Sequence, residues 1–273
     1  NIKVTRPNIN ECYADFRTEG DKFYYALGGI KAVGYEAISN IVKERSENGK
    51  FDSINDFLKR VNPKDMNKLQ LEGLVKAGAF DNLNNNRQSL FDSIPNFILK
   101  TKNIFDNKLA NQIDLFSEDE NSQDDIINDI EDWKFEERLS KEFEAVGFFI
   151  SDHPLNQFTE IFDDYKIKDY SNFNSNEEIK DANIAATLLK IQERKTAKGN
   201  AYAVLKLTDL NSVFELFIFS DILELNREIL KEGNSLILTL IKNISNDENR
   251  FKRINVQKIG SLKELFNSPI NEV

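Results

Sequence analysis

A strongly acidic segment near the middle of the chain divides its 273 residues into two parts. Between Glu118 and Glu137 there are ten acidic residues and one basic residue, Lys134. The stretch from Ala110 to Asp129 also lacks a sustained apolar period, and such a stretch cannot bury enough apolar surface to fold alone. A chain of this length has room for about two domains. We therefore predict a solvated acidic linker between two folded parts.

The net charge of −10 is unevenly distributed. Residues 22–87 contain eleven basic and eight acidic residues, and residues 183–260 contain twelve and nine. Salt screens charges that lie more than about 8–10 Å apart, so a polyanion responds to these local patches rather than to the net charge. The acidic composition therefore does not argue against nucleic-acid binding.

The composition excludes several classes of protein. The single cysteine, Cys12, cannot form an intrachain disulfide, and together with the single histidine, His153, it cannot supply the ligands of a zinc site. No apolar run reaches the roughly 18–20 residues of a membrane span, and no secretory leader opens the chain. We expect a soluble cytoplasmic protein without membrane contact. Because the chain begins at Asn1 without an initiator methionine, we also expect a fragment of a longer protein.

The N-terminal part has helical periodicity, and Gly78 stands where a helix C-cap is expected. The predicted elements are a short strand at 23–25, helices with apolar faces at 37–42, 54–61 and 69–75, and further helices at 90–109 and 136–149. We predict an all-α region over residues 1–105, a linker over 106–132 and a helical connector over 133–175.

The last hundred residues are rich in apolar or alternating runs. These runs are 183–192, 201–209, 213–219, 235–244 and 251–259, with a helical stretch at 220–231. Five strands with a helix between the third and the fourth are the order of the OB-fold. The predicted fold class is therefore α+β and multidomain, with a five-stranded OB-fold barrel over residues 176–265 and a tail over 266–273.

A glycine-rich turn, LGGIKAVG at residues 27–34, precedes the first long helix. Backbone N–H groups and the dipole at a helix N-terminus bind anions, and Lys31 adds a full positive charge. The turn resembles the hairpin of a helix-hairpin-helix unit, which holds a duplex backbone without reading bases. Ala32 stands where such hairpins often carry glycine. The alternative is a turn that needs its glycines only for packing.

A short peptide inside the acidic linker combines an amide with two large apolar residues. Its residues are Gln112, Ile113, Asp114, Leu115 and Phe116. Burial of each apolar side chain in a partner's pocket would contribute about 1.5–3 kcal/mol. The peptide resembles the pentapeptide by which bacterial replication proteins bind the sliding clamp. The alternative is that its two apolar residues pack back onto the preceding helix.

The predicted barrel carries aromatic and basic residues on one face. With Leu205 and Leu207 facing the core, alternation places Tyr202, Val204 and Lys206 outside. On the next strand, Phe214, Leu216 and Ile218 face inside, and Glu215, Phe217 and Phe219 face outside. The loop 193–200 between the first two strands adds basic residues, and a base stacked on an aromatic ring contributes about 1–3 kcal/mol. The candidates for single-stranded DNA binding are Arg194, Lys195, Lys198, Tyr202, Lys206 and Phe217. The alternative is that the aromatic residues only fill the surface.

Taken in order, these features resemble the C-terminal part of the bacterial replicative DNA polymerase III alpha subunit. The resemblance rests on residues 25–34, 51–57, 74–81 and 147–155, followed by the barrel. In that family a tandem helix-hairpin-helix region grips the duplex, the pentapeptide binds the sliding clamp, and the OB domain handles single-stranded template. The resemblance assigns duplex DNA contacts to Gly28, Gly29, Lys31, Gly34, Lys76 and Gly78, and clamp binding to Gln112, Asp114, Leu115 and Phe116.

The resemblance also implies which partners and which chemistry to expect. The partners are duplex and single-stranded DNA, the beta sliding clamp and other polymerase III holoenzyme subunits. The carboxylates that hold two Mg²⁺ ions belong to the family's palm domain, which would precede Asn1. We therefore expect no catalytic residue, metal site or cofactor in this fragment, although its parent resembles a DNA-directed DNA polymerase.

Other functions remain open from the sequence. They are an error-prone alpha paralogue in DNA repair, an OB-fold that binds tRNA, and a barrel that docks another protein. We expect His153 to be a structural linker residue. The carboxylate pairs at 124–125 and 163–164 lie in segments expected to be exposed, where nothing would hold the octahedral geometry that magnesium requires.

Overall fold

The computed structural model describes residues 3–109, 127–244 and 252–268. The chain forms two compact units, residues 1–152 and 153–273, and each unit has a core of its own. Within the described residues, no helix combines the length and the apolar character that crossing a membrane would require.

The described part of the first unit packs five helices with a small sheet. Its elements are β1 (Lys3–Thr5), β2 (Arg17–Glu19), β3 (Lys22–Tyr24), α1 (Tyr35–Asn48), α2 (Ile54–Arg60), α3 (Lys68–Lys76), α4 (Arg87–Leu109) and α5 (Phe135–Val146), with 3-10 turns at Leu27–Gly29 and Pro63–Asp65. β3 lies between β1, to which it is parallel, and β2, to which it is antiparallel. The all-α prediction missed two of these strands because three residues are too few for an alternating pattern.

Local signals explain where the helices begin and end. The Ser53 side chain caps α2, and Asn67 and Gln70 form a reciprocal capping box at α3. α3 ends in a Schellman motif, in which the Ala79 N–H bonds the Leu74 carbonyl and Gly78 has a φ of 76°. Gly78 therefore ends the helix as predicted, at the position after the C-cap residue Ala77.

The core of the first unit is apolar and aromatic. The rings of Phe51, Phe57 and Phe80 pack edge to face, with centroids 5.1 Å and 5.0 Å apart. Leu69, predicted on the apolar face of α3, is 61% exposed. Leu71, Leu74 and Val75 of the same predicted face are buried. Leu69 cannot share the face of Leu71, because residues two positions apart lie about 200° apart around a helix.

A buried ionic network ties α5 to the rest of the unit. Arg87 donates to both carboxylate oxygens of Asp81 at 2.8 Å and 2.7 Å, and its Nη1 lies 3.3 Å from Glu142 Oε2. Burial alone would lower the pKa of Arg87, but its bonds to Asp81 and the charges of both carboxylates outweigh burial and raise it. Glu142 Oε1 also accepts the N–H groups of Ile150 and Ser151, which holds the chain that follows α5.

The second unit is built on five antiparallel strands. Its elements are a 3-10 helix at Pro154–Ile161, α6 (Tyr170–Ser175), β4 (Asp181–Lys195), β5 (Ala201–Thr208), β6 (Val213–Phe219), α7 (Ser220–Leu225), β7 (Ser235–Ile244), β8 (Lys252–Ser261) and α8 (Leu262–Asn267). All five predicted strands are present. α7 is shorter than the predicted helix over 220–231, and the Asn226 side chain donates to the Ile222 carbonyl at the end of α7.

The sheet order is β6–β5–β4–β7–β8, so β6 and β8 are the edge strands. Cα atoms of these two strands come within 8 Å of each other. No hydrogen-bonded ladder joins them in the part of the chain that the structure describes, so the predicted closure of the barrel is not established.

Candidate nucleic-acid interface

The hairpin, residues 27–34, has one buried and one exposed side. Gly29, Lys31, Ala32 and Gly34 are exposed. Ala32 has a φ of 65° and Gly34 a φ of 84°. The residues that anchor the turn in the core are Leu27, Ile30 and Val33. The hairpin therefore presents its charged and small residues to solvent.

Three contacts from distant helices hold the hairpin backbone. The Lys31 N–H donates to the Ala145 carbonyl of α5 at 3.0 Å. The Gln70 amide of α3 donates to the Val33 carbonyl at 2.9 Å. A Cβ on Gly73 would lie 2.8 Å from the Lys31 carbonyl oxygen, so glycine allows α3 to approach this closely. Sequence reasoning missed both α3 residues, although a glycine inside a helical pattern can indicate a packing role.

The N-terminus of α1 follows the hairpin directly. Gly34 is its N-cap residue, and no side chain caps this helix end among the described residues. The first N–H groups of a helix lack intrahelical partners and favour anions. Glu36 lies in the first turn and would oppose an anion there. The exposed Lys31 on the hairpin supplies a positive charge.

Two predicted contact glycines have packing roles. The Gly28 N–H donates to the Ala14 carbonyl at 3.1 Å, and a Cβ on Gly28 would lie 2.5 Å from that oxygen. Gly78 is buried, and a Cβ there would lie 2.1 Å from Arg87 Nη2. The packing alternative therefore accounts for these two positions.

Lys31 and Lys76, both predicted to contact duplex DNA, lie close to Glu144 of α5. Lys76 Nζ is 2.9 Å from Glu144 Oε1. The hydrogen bond from Lys76 lowers the pKa of Glu144 against the opposing effect of burial, and the charges of Lys76, Lys141 and Lys31 lower it further. We call Lys31, Lys76 and Lys141 the lysine cluster. Sequence reasoning did not identify Lys141.

In the second unit, the predicted alternation is confirmed along β6, whereas on β5 Val204, predicted outside, is buried. Leu205 and Leu207 are buried in the core, while Phe217 and Phe219 are 53% and 49% exposed. We call the side of β4, β5 and β6 that points away from the core the outer face. Its cross-strand rows are Lys190–Lys206–Glu215, Gln192–Val204–Phe217 and Arg194–Tyr202–Phe219. The pairing register thus aligns basic, apolar and aromatic positions across three strands.

The outer face contains a groove of about 140 Å³. Val204 and Phe217 line it with Arg194, Lys190 and Lys206. Three of the six residues predicted to bind single-stranded DNA therefore lie together. Tyr202 occupies the next row, between Arg194 and Phe219.

The predicted basic loop at 193–200 is shorter than expected. β4 continues to Lys195, so Arg194 and Lys195 belong to the strand and pair with Tyr202 and Ala201. Only residues 196–200 form the turn, which the Thr196 N–H closes by bonding the Asn200 carbonyl at 2.9 Å. Lys198 is exposed in this turn.

Arg253 of β8 extends the outer face, and sequence reasoning missed it. Its guanidinium lies over the ring of Phe219, 5.7 Å from the centroid. The two residues are on the two edge strands of the sheet and far apart in sequence. No local pattern connects them.

The remaining predicted sites are placed as follows. Gln112, Asp114, Leu115 and Phe116 lie outside the described residues. His153 caps the 3-10 helix at Pro154–Ile161, where its Nδ1 accepts the Leu155 N–H at 3.2 Å. Across residues 3–109, 127–244 and 252–268, no group of three or more His, Cys, Asp or Glu side chains is arranged to hold a metal ion.

Comparison with known proteins adds two findings. A family model of the helix-hairpin-helix motif matches residues 1–90, which include the hairpin and α3. Full-length relatives described as DNA polymerase III subunit alpha match most or all of the chain.

Three relatives illustrate the extent of this similarity. The protein of Borreliella burgdorferi is 28% identical over 277 residues, which cover 100% of this chain and 24% of that protein. The Campylobacter jejuni protein is 32% identical over 86% of this chain and 20% of its own length. The Rickettsia prowazekii protein is 35% identical over 76% of this chain and 17% of its own length. The chain thus spans about a quarter or less of the curated relatives it matches. As its motifs predicted, it resembles the C-terminal part of the bacterial DNA polymerase III alpha subunit and contains a helix-hairpin-helix motif.

Proposed function

We propose that this chain is a DNA-holding part of a replicative polymerase and that it binds duplex DNA through its first unit. The observation that carries this proposal is the position of the hairpin. It lies inside the helix-hairpin-helix match at residues 1–90, and its charged and small residues face outward. Such units hold the backbone and leave base sequence unread.

The proposed duplex contacts are Lys31, the backbone at Gly29 and Gly34, and the N-terminus of α1. Lys76 joins them from the end of α3. The hairpin backbone is held by α3 and α5, and the N–H groups of Gly29, Lys31 and Val33 already donate to backbone carbonyls. The Lys31 side chain and the N-terminus of α1 are therefore the groups that can meet phosphates with little rearrangement. A held site loses less conformational entropy on binding.

We further propose that the sheet of the second unit is an OB-fold that binds single-stranded DNA on its outer face. Three features support the fold: the five antiparallel strands, the helix α7 between the third and fourth strands, and the approach of β6 to β8. Phe217, Tyr202 and Phe219 would stack bases, and Arg194 and Lys206 would contact phosphates.

Residues 112–116 complete the proposal as a binding peptide for the sliding clamp, by resemblance alone. In this proposal the chain supplies binding, while the remaining three quarters or more of such a polymerase would supply bond formation.

Fluorescence anisotropy with the whole 273-residue chain tests the DNA proposals. The probes are a labelled duplex, a single strand of equal length and a tRNA, each titrated at several salt concentrations. Lys31→Ala should weaken duplex binding several-fold and reduce the salt slope by about 0.9 log units. Phe217→Ala should weaken single-strand binding by about five-fold or more, as the loss of one stacked base predicts.

Two variants serve as matched controls for these changes. Lys43→Ala removes the same charge from an exposed position further along α1, and Leu225→Ala removes an exposed apolar side chain of α7. Lys43→Ala should weaken duplex binding less than Lys31→Ala does, and Leu225→Ala should weaken single-strand binding less than Phe217→Ala does. Preference for tRNA, or a duplex affinity that is insensitive to salt, would contradict the proposal.

A further inference from the structure

Glu144 lies at the point where three parts of the first unit meet. Lys76 is the last residue of α3, Glu144 lies in the last turn of α5, and the Lys31 N–H bonds the carbonyl of Ala145. Lys141 is three residues before Glu144 on α5, a spacing that puts both side chains on one face of the helix. Glu144 is therefore ion-paired with Lys76, shares a helix face with Lys141, and is adjacent in sequence to the residue whose carbonyl accepts the Lys31 N–H.

The two residues of the Lys76–Glu144 ion pair differ in exposure. The Lys76 side chain is 14% exposed, whereas the Glu144 side chain is 59% exposed. The Lys76 ammonium also lies 5.4 Å from the centroid of the Phe91 ring, which holds it from another side. Lys76 is thus fixed by its surroundings, and Glu144 can turn toward solvent without disturbing the core.

We propose that the lysine cluster is a phosphate site for the duplex backbone, with Lys141 as a new member, and that Glu144 occupies this site when DNA is absent. The inference rests on the duplex-binding function proposed above and specifies its regulation. A backbone phosphate carries one negative charge, as Glu144 does. When duplex DNA binds, a phosphate therefore replaces the Glu144 carboxylate beside the lysine cluster.

This exchange explains why a DNA-binding surface carries an acidic residue at its centre. Three lysines close together repel one another, and a carboxylate between them relieves that repulsion in the free protein. The same carboxylate competes with phosphate and repels it. Glu144 should therefore lower duplex affinity while stabilising the free surface.

An alternative role for the lysines is purely structural. Lys76 lies in the last turn of α3, where positive charge stabilises the helix dipole, and Lys141 can pair with Glu144 along α5. In that case Glu144 would be an ordinary surface ion pair. If the lysines bind phosphate, neutralising Glu144 should raise duplex affinity. If they only stabilise the fold, it should leave duplex affinity unchanged.

The test measures duplex binding of the whole chain by anisotropy, with Glu144→Gln and the matched control Glu137→Gln. Glu137 lies two turns earlier on α5 and its change alters the net charge equally. In Glu144→Gln the new amide oxygen can still accept the Lys76 hydrogen bond, so the fold should be retained. We expect Glu144→Gln to bind duplex DNA about two- to five-fold more tightly, and Glu137→Gln to change affinity less. When Lys76 is also replaced with alanine, Glu144→Gln should raise duplex affinity less.

A second pair of variants tests the new member of the cluster. Lys141→Ala should weaken duplex binding and reduce its salt slope, whereas Lys134→Ala, at the start of α5, should do so less. If the wild-type chain binds duplex DNA but Glu144→Gln gains no more than Glu137→Gln, the inference is overturned and the proposed function stands. If the wild-type chain does not bind duplex DNA, both are overturned.

Discussion

Individual residues determine the shape of the hairpin. Ala32 is held at a φ of 65°, a conformation that costs residues with a Cβ about 1–2 kcal/mol. Gly73 is required on α3 because any Cβ would press on the Lys31 carbonyl.

Cys12 is fully buried, and its Sγ donates to the Arg6 carbonyl at 3.2 Å. Each of these residues gives a prediction.

Ala32→Gly should stabilise the first unit by about 0.5–1 kcal/mol. Glycine removes the strain of a positive φ, and this gain is partly offset by the greater freedom of glycine in the unfolded chain. Ala32 is exposed, so little packing is lost. Thermal unfolding of the two proteins measures the difference, and a lower melting temperature for the variant would contradict it.

Gly73→Ala should destabilise the first unit in spite of its better helix propensity. In a helix interior, alanine is more favourable than glycine by about 1 kcal/mol. The added Cβ would, however, press on the Lys31 backbone, and such overpacking costs about 1–3 kcal/mol. Urea unfolding measures the net change. Gly49→Ala is the contrasting variant, because Gly49 has a positive φ but open space around its Cβ position. In Gly73→Ala, but not in Gly49→Ala, duplex affinity should fall as the hairpin shifts.

The stability that Cys12 contributes should depend on pH in the alkaline range. Burial raises the pKa of its thiol from 9.0 to about 11. Between these values the unfolded chain loses the proton while the folded chain keeps it, so stability is full below pH 9 and falls as pH rises toward 11. The loss approaches about 3 kcal/mol.

Urea unfolding of wild type and Cys12→Ala, in a reductant and from pH 8 to pH 10.5, isolates this effect. Other groups titrate alike in both proteins, so the stability advantage of wild type should shrink as pH rises. An advantage that stays constant with pH would show that the thiol does not titrate as described.

Secondary-structure elements bring the predicted residues into register. The pairing of β4, β5 and β6 aligns Arg194, Tyr202 and Phe219 in one row, although they come from three strands. β8 adds Arg253 from the opposite edge of the sheet. Strand pairing therefore places these aromatic and basic residues together on the outer face.

Arg253→Ala should weaken single-strand binding by about two- to five-fold, because it removes both a charge and the contact that orients Phe219. Lys258→Ala is the control, since it removes an equal charge from an exposed position on the same strand. Equal effects of the two variants would mean that charge alone matters and that Arg253 has no special place beside Phe219.

The whole molecule consists of two units with separate cores, and each carries one of the proposed DNA surfaces. Residues 112–116 are proposed to bind a third partner, the sliding clamp. The three proposed binding functions should therefore be separable by mutation.

Replacing Leu115 and Phe116 with alanine should abolish binding to a bacterial sliding clamp and leave DNA affinity unchanged. Loss of two apolar anchors of about 1.5–3 kcal/mol each would weaken binding by two orders of magnitude or more. Pull-down on immobilised clamp, with duplex anisotropy of the same preparation, measures both properties. Clamp retention equal to that of wild type would disprove the role of this peptide.

Local patterns allowed much of the architecture to be predicted. The five strands of the sheet, the alternation along β6 and the glycine that ends α3 all follow from residues within a few positions of each other. Short-range sterics and burial decide such features. The strands β1 and β2 were missed because too few residues carry their pattern.

The sequence by itself determined the helices of the first unit, the five strands, the exposed hairpin and its lysine, because these depend on chain-local periodicity and turn chemistry. Only the tertiary structure decided that Gln70 and Gly73 hold the hairpin, that Glu144 lies among the lysine cluster, and that Arg253 meets Phe219. Those contacts join residues about 35 to 70 positions apart, and packing of elements, rather than any local preference, brings them together.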